Sequence, residues 1–417
     1  MTMRSRLIVL VIAAFAIGLV IGAAAAPALM APPKGVKKRL PKEIPIGALL
    51  ALTGHLSSFA KRHEAAARMA IKDINEYVKR LGYDVKFKLY VEDTKCSDEE
   101  ALAKIQALAA KGIKVVLGPL ASSEVKAIKS FADSNKIVVI SHSSTSPALA
   151  IPSDFIFRFV PTDEFQGRAL AKYMVSRGFK KVAVIYRGDP WGDLLFESFK
   201  KNFEELGGVV KGVRYDPHAK ELSAEVRRLS DIVKEFGMGP ETAVLLISFE
   251  DDGLAVIKAA EEDPVLSTVP WVGTDGTAGS LKLAKEAGEF LVKVGGLPST
   301  IFNPTLSPKQ KAFAERFKRE YGEAPDSYCF TIYDAAWVAA LTILEVGEYN
   351  PELIAKALPE VASRYFGVSG WTLLNEAGDR AGGDYIIMKL AKVGDKYEWV
   401  EEAIYVYSAD AIQPLGG

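Results

Sequence analysis

Cysteine is scarce in this chain: Cys96 and Cys329 are the only two among 417 residues. They allow at most one disulfide, which neither establishes nor excludes an oxidising compartment, and no CxxC spacing points to zinc. Histidine is nearly as rare. His55, His63, His142 and His218 are scattered and form no spaced pair. His63-Glu64 opens a string like the HExxH zinc motif, but position 67 is alanine and the second ligand is missing. Net charge is absent too, with 52 basic and 52 acidic residues. No long basic run follows the extreme N-terminal region, so nothing suggests nucleic acid. Also missing are GxGxxG and GxxxxGK[ST], the loops that cradle phosphates, and GxSxG, the serine turn of α/β-hydrolases. An enzyme would need a nucleophile, base or cofactor loop that is not found. The chain is therefore read as a non-enzyme with no metal and no cofactor.

What is present is organised. The length is too great for one core and predicts two domains. Arg4 and Arg6 precede the uncharged run Leu7 to Ala26, which ends in alanines. Residues 1–26 read as an export signal, long enough to remain as a membrane anchor. Residues 27–42, rich in Pro, Lys and Ala, read as a linker, and no cysteine lies near the cleavage point to carry a lipid. The two arginines predict that the remainder lies outside the cytoplasm.

From Pro45 onward apolar runs alternate with helical patterns. The most informative stretch is Val115 to Leu149. An apolar run ending at Leu117 precedes a Gly-Pro corner and a helix from about Ser123 to Ser134. A second run, Ile137 to Ile140, precedes the hydroxyl-rich loop Ser141 to Ser146. In parallel sheets ligands collect where strands end and helices begin. Ser122, Ser143 and Thr145 are therefore candidate contacts, against the alternatives of an ordinary helix cap and an ordinary loop; His142 reads as a loop histidine. The pattern continues with a helix from Leu254 to Glu262, a helix from Leu281 to Ala287 and a strand from Leu291 to Gly295. Further on come helices over Pro308 to Tyr321, Tyr328 to Val346 and Glu352 to Leu358, then strands near Tyr385 to Lys389 and Ala403 to Tyr407. Strands alternating with helices predict α/β lobes with parallel sheets, and the late helices are expected to return to cover the first lobe.

The series IGALLALTG, SSFAKRHEAAARMAIKDINE, VEDTKCSDEEALAKIQALAAKGIKVVLGPLASSEVKA, VVISHSSTSPAL, VAVIYRGDPWGDLLFESFK, WVGTDG and DSYCFTIYDAAWVAALTIL resembles the substrate-binding proteins of branched-chain amino acid ABC transporters. The resemblance implies the type I periplasmic-binding-protein fold, two interleaved Rossmann-like lobes joined by a multi-strand hinge. It places residues 43–162 and 298–374 in the N-terminal lobe, and residues 163–297 and 375–417 in the C-terminal lobe. It implies a monomer that captures an amino acid, branched-chain or otherwise apolar, and delivers it to permease subunits in the membrane. Alternatives within the fold are binders of amides, urea-like compounds or aromatic acids, or a ligand-sensing module.

Motif for motif, the ligand carboxylate falls to Ser122, the Ser143 backbone and the Thr145 hydroxyl, and the ammonium to Asp275. Phe59, Trp191, Phe249 and Tyr328 would wall the side-chain pocket, with Glu250 a rival contact beside Phe249. Two of these aromatics lack the hydroxyl the family commonly carries. A family cysteine matches Cys96, but its usual partner position is Ala121, so both thiols are expected free. His55 stands where the family often has proline.

Overall fold

Short apolar strands buried on both faces need helices above and below them, and the chain supplies one after nearly every strand. The computed structural model describes residues 40–415. The expected export signal or anchor, and the expected linker up to residue 39, lie outside the described residues.

The first lobe is built from β1 (Glu43–Leu50), α1 (Ser57–Arg80), β2 (Lys86–Asp93), α2 (Asp98–Ala110), β3 (Val115–Leu117), α3 (Ser122–Asn135), β4 (Val138–Ser141) and β5 (Ile156–Arg158). Its strands pair in parallel in the order β2-β1-β3-β4-β5. Local chemistry sets the boundaries. Ser97 accepts from the Glu100 N–H to cap α2, and Asp98, Glu99 and Glu100 crowd its positive end. Lys79 and Arg80 sit at the negative end of α1.

The second lobe repeats the scheme with α4 (Asp163–Ser176), β6 (Lys181–Arg187), α5 (Pro190–Glu205), β7 (Val209–Tyr215), α6 (Ser223–Phe236), β8 (Thr242–Ile247), α7 (Glu250–Glu261), β9 (Trp271–Val272) and α8 (Leu281–Lys293). Its sheet, again parallel, runs β7-β6-β8-β9.

The rest comprises β10 (Ser299–Asn303), α9 (Pro308–Tyr321), α10 (Ser327–Val346), α11 (Pro351–Ser363), the short pair β11 (Phe366–Gly367) and β12 (Gly370–Trp371), then β13 (Asp384–Val393), β14 (Lys396–Val406) and β15 (Ala411–Pro414). The late helices do return to the first lobe. Tyr333 and Arg316 both bond Asp73 of α1, at 2.8 and 2.6 Å, and Tyr349 donates to the Pro45 carbonyl at 2.5 Å. α10 has the length and apolarity of a membrane span, yet most of it is buried as a core helix. Two connections run side by side near Arg158, whose guanidinium holds Asp379 at 2.5 and 2.7 Å with both side chains buried.

Three expectations change. The strand placed at Leu291–Gly295 is the last turn of α8, which buries Leu283, Ala284, Ala287, Phe290 and Leu291 on one helical face. A short, mostly apolar run fits one helical turn as well as a strand. α7 starts at Glu250, not Leu254. Its first turn is the acidic triplet Glu250, Asp251, Asp252, which a helix N-terminus favours. Finally, β10, β13, β14 and β15 form an antiparallel sheet beside the two parallel ones, built on a hairpin much longer than the strands read near Tyr385 and Ala403.

Candidate functional site

Phe59, Ser122, Ser143, Thr145, Trp191, Phe249, Asp275 and Tyr328, the eight contacts named from sequence, all line one cavity. Leu56, His63, Leu120, Ala121 and Gly276 complete the lining.

The first lobe contributes two turns and one helix face. Leu56, at the cap of α1, and Phe59 and His63 within it follow at spacings of three and four residues, one stripe. The β3–α3 corner turns at Gly118, with φ +83° and no room for a side chain, since a Cβ there would lie 2.1 Å from the Leu49 carbonyl oxygen. Ser122 is the first residue of α3 rather than its cap. Its hydroxyl bonds Ser144 Oγ at 2.9 Å and accepts from the Ser146 N–H at 3.2 Å, tying the two loops together. The Ser143 hydroxyl is spent on the Leu120 carbonyl at 3.0 Å, which leaves its backbone for a ligand. Thr145 Oγ1 is buried and makes no hydrogen bond among the described residues.

From the second lobe, Asp189 caps α5 by accepting from the N–H groups of Trp191 and Gly192 at 3.0 and 2.8 Å, which fixes the indole. Trp191 stacks on Phe249 with centroids 4.9 Å apart, and the Arg187 guanidinium lies 3.8 Å from the centre of the Phe249 ring. Gly276 must be glycine for this wall to close. A Cβ there would come within 2.3 Å of the Ser248 carbonyl oxygen and 2.9 Å of the indole.

Asp275 is buried. Tyr328 OH donates to one of its oxygens at 2.7 Å and Gln166 Nε2 to the other at 2.9 Å. No ion pair to it exists among the described residues. Burial pushes its carboxyl up, against the pull of those two hydrogen bonds. Asp163, held by the same Gln166 amide, is raised further by burial and by the charge of Asp275. When ionised, Asp275 faces the cavity with no cation beside it among the described residues.

Of the five lining residues that the sequence reading did not name as contacts, His63 is the one with a titratable side chain, and it lies one turn beyond Phe59. It is also where scattered histidines become a pair. His63 Nδ1 lies 3.0 Å from His142 Nε2, and its Nε2 lies 3.0 Å from Asp326 Oδ1. Burial would raise the Asp326 carboxyl, but His63 and Arg62 hold it well below the usual range. The carboxylate is therefore an acceptor, and His63 Nε2 carries the proton. Burial keeps His142 neutral, pushing its pKa well down. His63, Asp326 and Cys329 bring ligand atoms within 4.8 Å of one another. However, Asp326 is already engaged by Arg62 and by the N–H groups of Tyr328 and Cys329, and burial pushes the Cys329 thiol well up. This is a hydrogen-bonded cluster built as a wall rather than as a metal centre. Both cysteines are free, as expected. Glu250 is absent from the lining, since its carboxylate is bonded to Ser58 and Ser280 instead.

Residues 62–392 match the receptor family ligand binding region. The chain belongs to that family. An uncharacterized protein of Methanocaldococcus jannaschii is 38% identical over 372 residues, covering 85% of this chain and 88% of that one. The leucine-, isoleucine-, valine-, threonine- and alanine-binding protein of Pseudomonas aeruginosa is 25% identical over 361 residues, covering 84% of this chain and 88% of its own length. A crystal structure of a leucine-binding protein from Thermotoga maritima superposes with a TM-score of 0.73 at 24% identity, covering 88% of this chain and 99% of that one. The resemblance read from the motifs is thereby borne out, and so is the two-lobed periplasmic-binding-protein fold. In this member of the receptor family, the cavity lies between the two parallel-sheet lobes, where ligand binding regions of this architecture place their cleft.

Proposed function

We propose that the chain is an extracytoplasmic solute-binding protein. It captures an amino acid with an apolar side chain between its lobes, leaves it chemically unchanged, and delivers it to an ABC transporter permease. The observation that carries this reading is Asp275, a buried carboxylate with two neutral donors, no cation and an open side toward the cavity. An ammonium is the group it lacks. The carboxylate of the same ligand would lie across the cavity, against the α3 N-terminus, the Ser143 backbone and the unpaired Thr145 hydroxyl.

The side-chain end is apolar because its polar atoms are already used. Tyr328 spends its hydroxyl on Asp275, and both His63 nitrogens are bonded within the wall. Leu56, Phe59, Leu120, Trp191 and Phe249 supply the rest. In this reading the two lobes move as two bodies, and closure presents the surface a permease recognises.

A thermal-shift screen of the amino acids tests the reading. A true ligand at about 100 times its dissociation constant adds roughly 2.7 kcal/mol to stability. Leucine, isoleucine or valine is expected to raise the melting temperature most. If amides or aromatic acids shift the melt while no α-amino acid does, the ligand class is wrong.

A further inference from the structure

Glu250 is a buried carboxylate of the second lobe that the ligand site leaves unexplained. Its carboxylate receives three hydrogen bonds. Ser280 Oγ donates at 2.6 Å from within the second lobe, while Ser58 of the first lobe donates its hydroxyl at 2.5 Å and its backbone N–H at 3.3 Å. Three helix beginnings converge there: Ser58 lies in the first turn of α1, Glu250 opens α7, and Ser280 caps α8. Each is the positive dipole end of a helix, so the junction suits a carboxylate.

The seam continues on the same edge. Arg62 Nη2 reaches across to the Gly279 carbonyl at 3.4 Å, and His55 Nδ1 lies 3.7 Å from Asp252 and 4.0 Å from Asp251. His55, Ser58 and Arg62 therefore present one face of the α1 start to the second lobe. Separating the lobes would strip Glu250 of both Ser58 donors while leaving Ser280 in place.

We infer that Glu250 is a latch and Ser58 its catch, holding the lobes shut and setting ligand affinity through closure rather than through contact with the ligand. The inference goes beyond the amino acid reading, because it requires only that the cleft closes. Glu250 is thus a positioning residue.

The test compares the wild-type protein with Ser58→Ala, Glu250→Ala and Glu250→Gln by small-angle scattering and by leucine calorimetry, with circular dichroism melts to confirm folding. A hydrogen bond to an ionised partner is worth roughly tenfold. Ser58→Ala and Glu250→Ala should therefore weaken leucine about tenfold and increase the radius of gyration at a given leucine concentration. Glu250→Gln, which still accepts from Ser58, should restore both. Folded Ser58→Ala and Glu250→Ala proteins that scatter and bind like wild type would overturn the latch. If leucine gives no heat with the wild type, the amino acid reading fails separately. Scattering without leucine then decides the latch, a wider Ser58→Ala particle supporting it and an unchanged one overturning it.

Discussion

Asp275 and Glu124 are both buried carboxylates near the cavity, and their surroundings give them different tasks. Asp275 opens on the cavity and was legible from the WVGTDG string, whereas its support, Gln166, lies more than a hundred residues away and carries no sequence signal of its own. Glu124 lies behind the Ser122 turn, where it accepts from the Ala121 N–H at 3.0 Å. Burial raises its pKa from 4.5 to about 7. An acid whose folded pKa is raised favours the folded state when protonated. That contribution is complete below pH 4.5 and is lost as pH rises to about 7. The loss is on the order of 3 kcal/mol. Glu124→Gln should therefore flatten the unfolding free energy between those pH values and exceed wild-type stability at alkaline pH. Denaturant titrations across this range check it; an unchanged slope would assign the dependence to another group.

The elements show where patterns in a sequence are enough and where they are not. α2 and α6 begin and end where caps and periodicity place them, because Ser97, its acidic first turn and the apolar stripe Val226, Leu229, Val233 and Phe236 in α6 are all local signals. The end of α8 and the start of α7 were misread because a short apolar run and an acidic triplet each fit two local structures, and only tertiary packing chooses between them. α5 joins element to site most tightly. Asp189 both caps the helix and fixes Trp191 against Phe249. Asp189→Ala should cost about 1 to 2 kcal/mol of stability, the usual penalty for a lost cap. Because the indole moves with the first turn, ligand affinity should fall as well. Parallel melts and ligand titrations separate the two effects; a stability loss with unchanged affinity would show that Trp191 is placed by stacking alone.

At the scale of the whole molecule, the two-lobed architecture was legible because a parallel sheet forces a strand-helix alternation that survives in sequence. The site residues were legible only through the ordered motifs, since no single serine, aspartate or aromatic announces a cavity. The His63–His142 pair, the Ser58–Glu250 junction and the Arg158–Asp379 ion pair were invisible. Each joins segments that only the fold brings together. The proposed function requires a cleft that receives both charges of a zwitterion. Calorimetric titration with leucine and with 4-methylpentanoic acid, the same skeleton without its amine, tests this most directly when paired with Asp275→Ala. Leucine should bind the wild type, with either loss, of the amine or of Asp275, costing about 2 to 5 kcal/mol. Equal affinity for the two compounds, or an Asp275→Ala protein that binds leucine as well as the wild type, would contradict it.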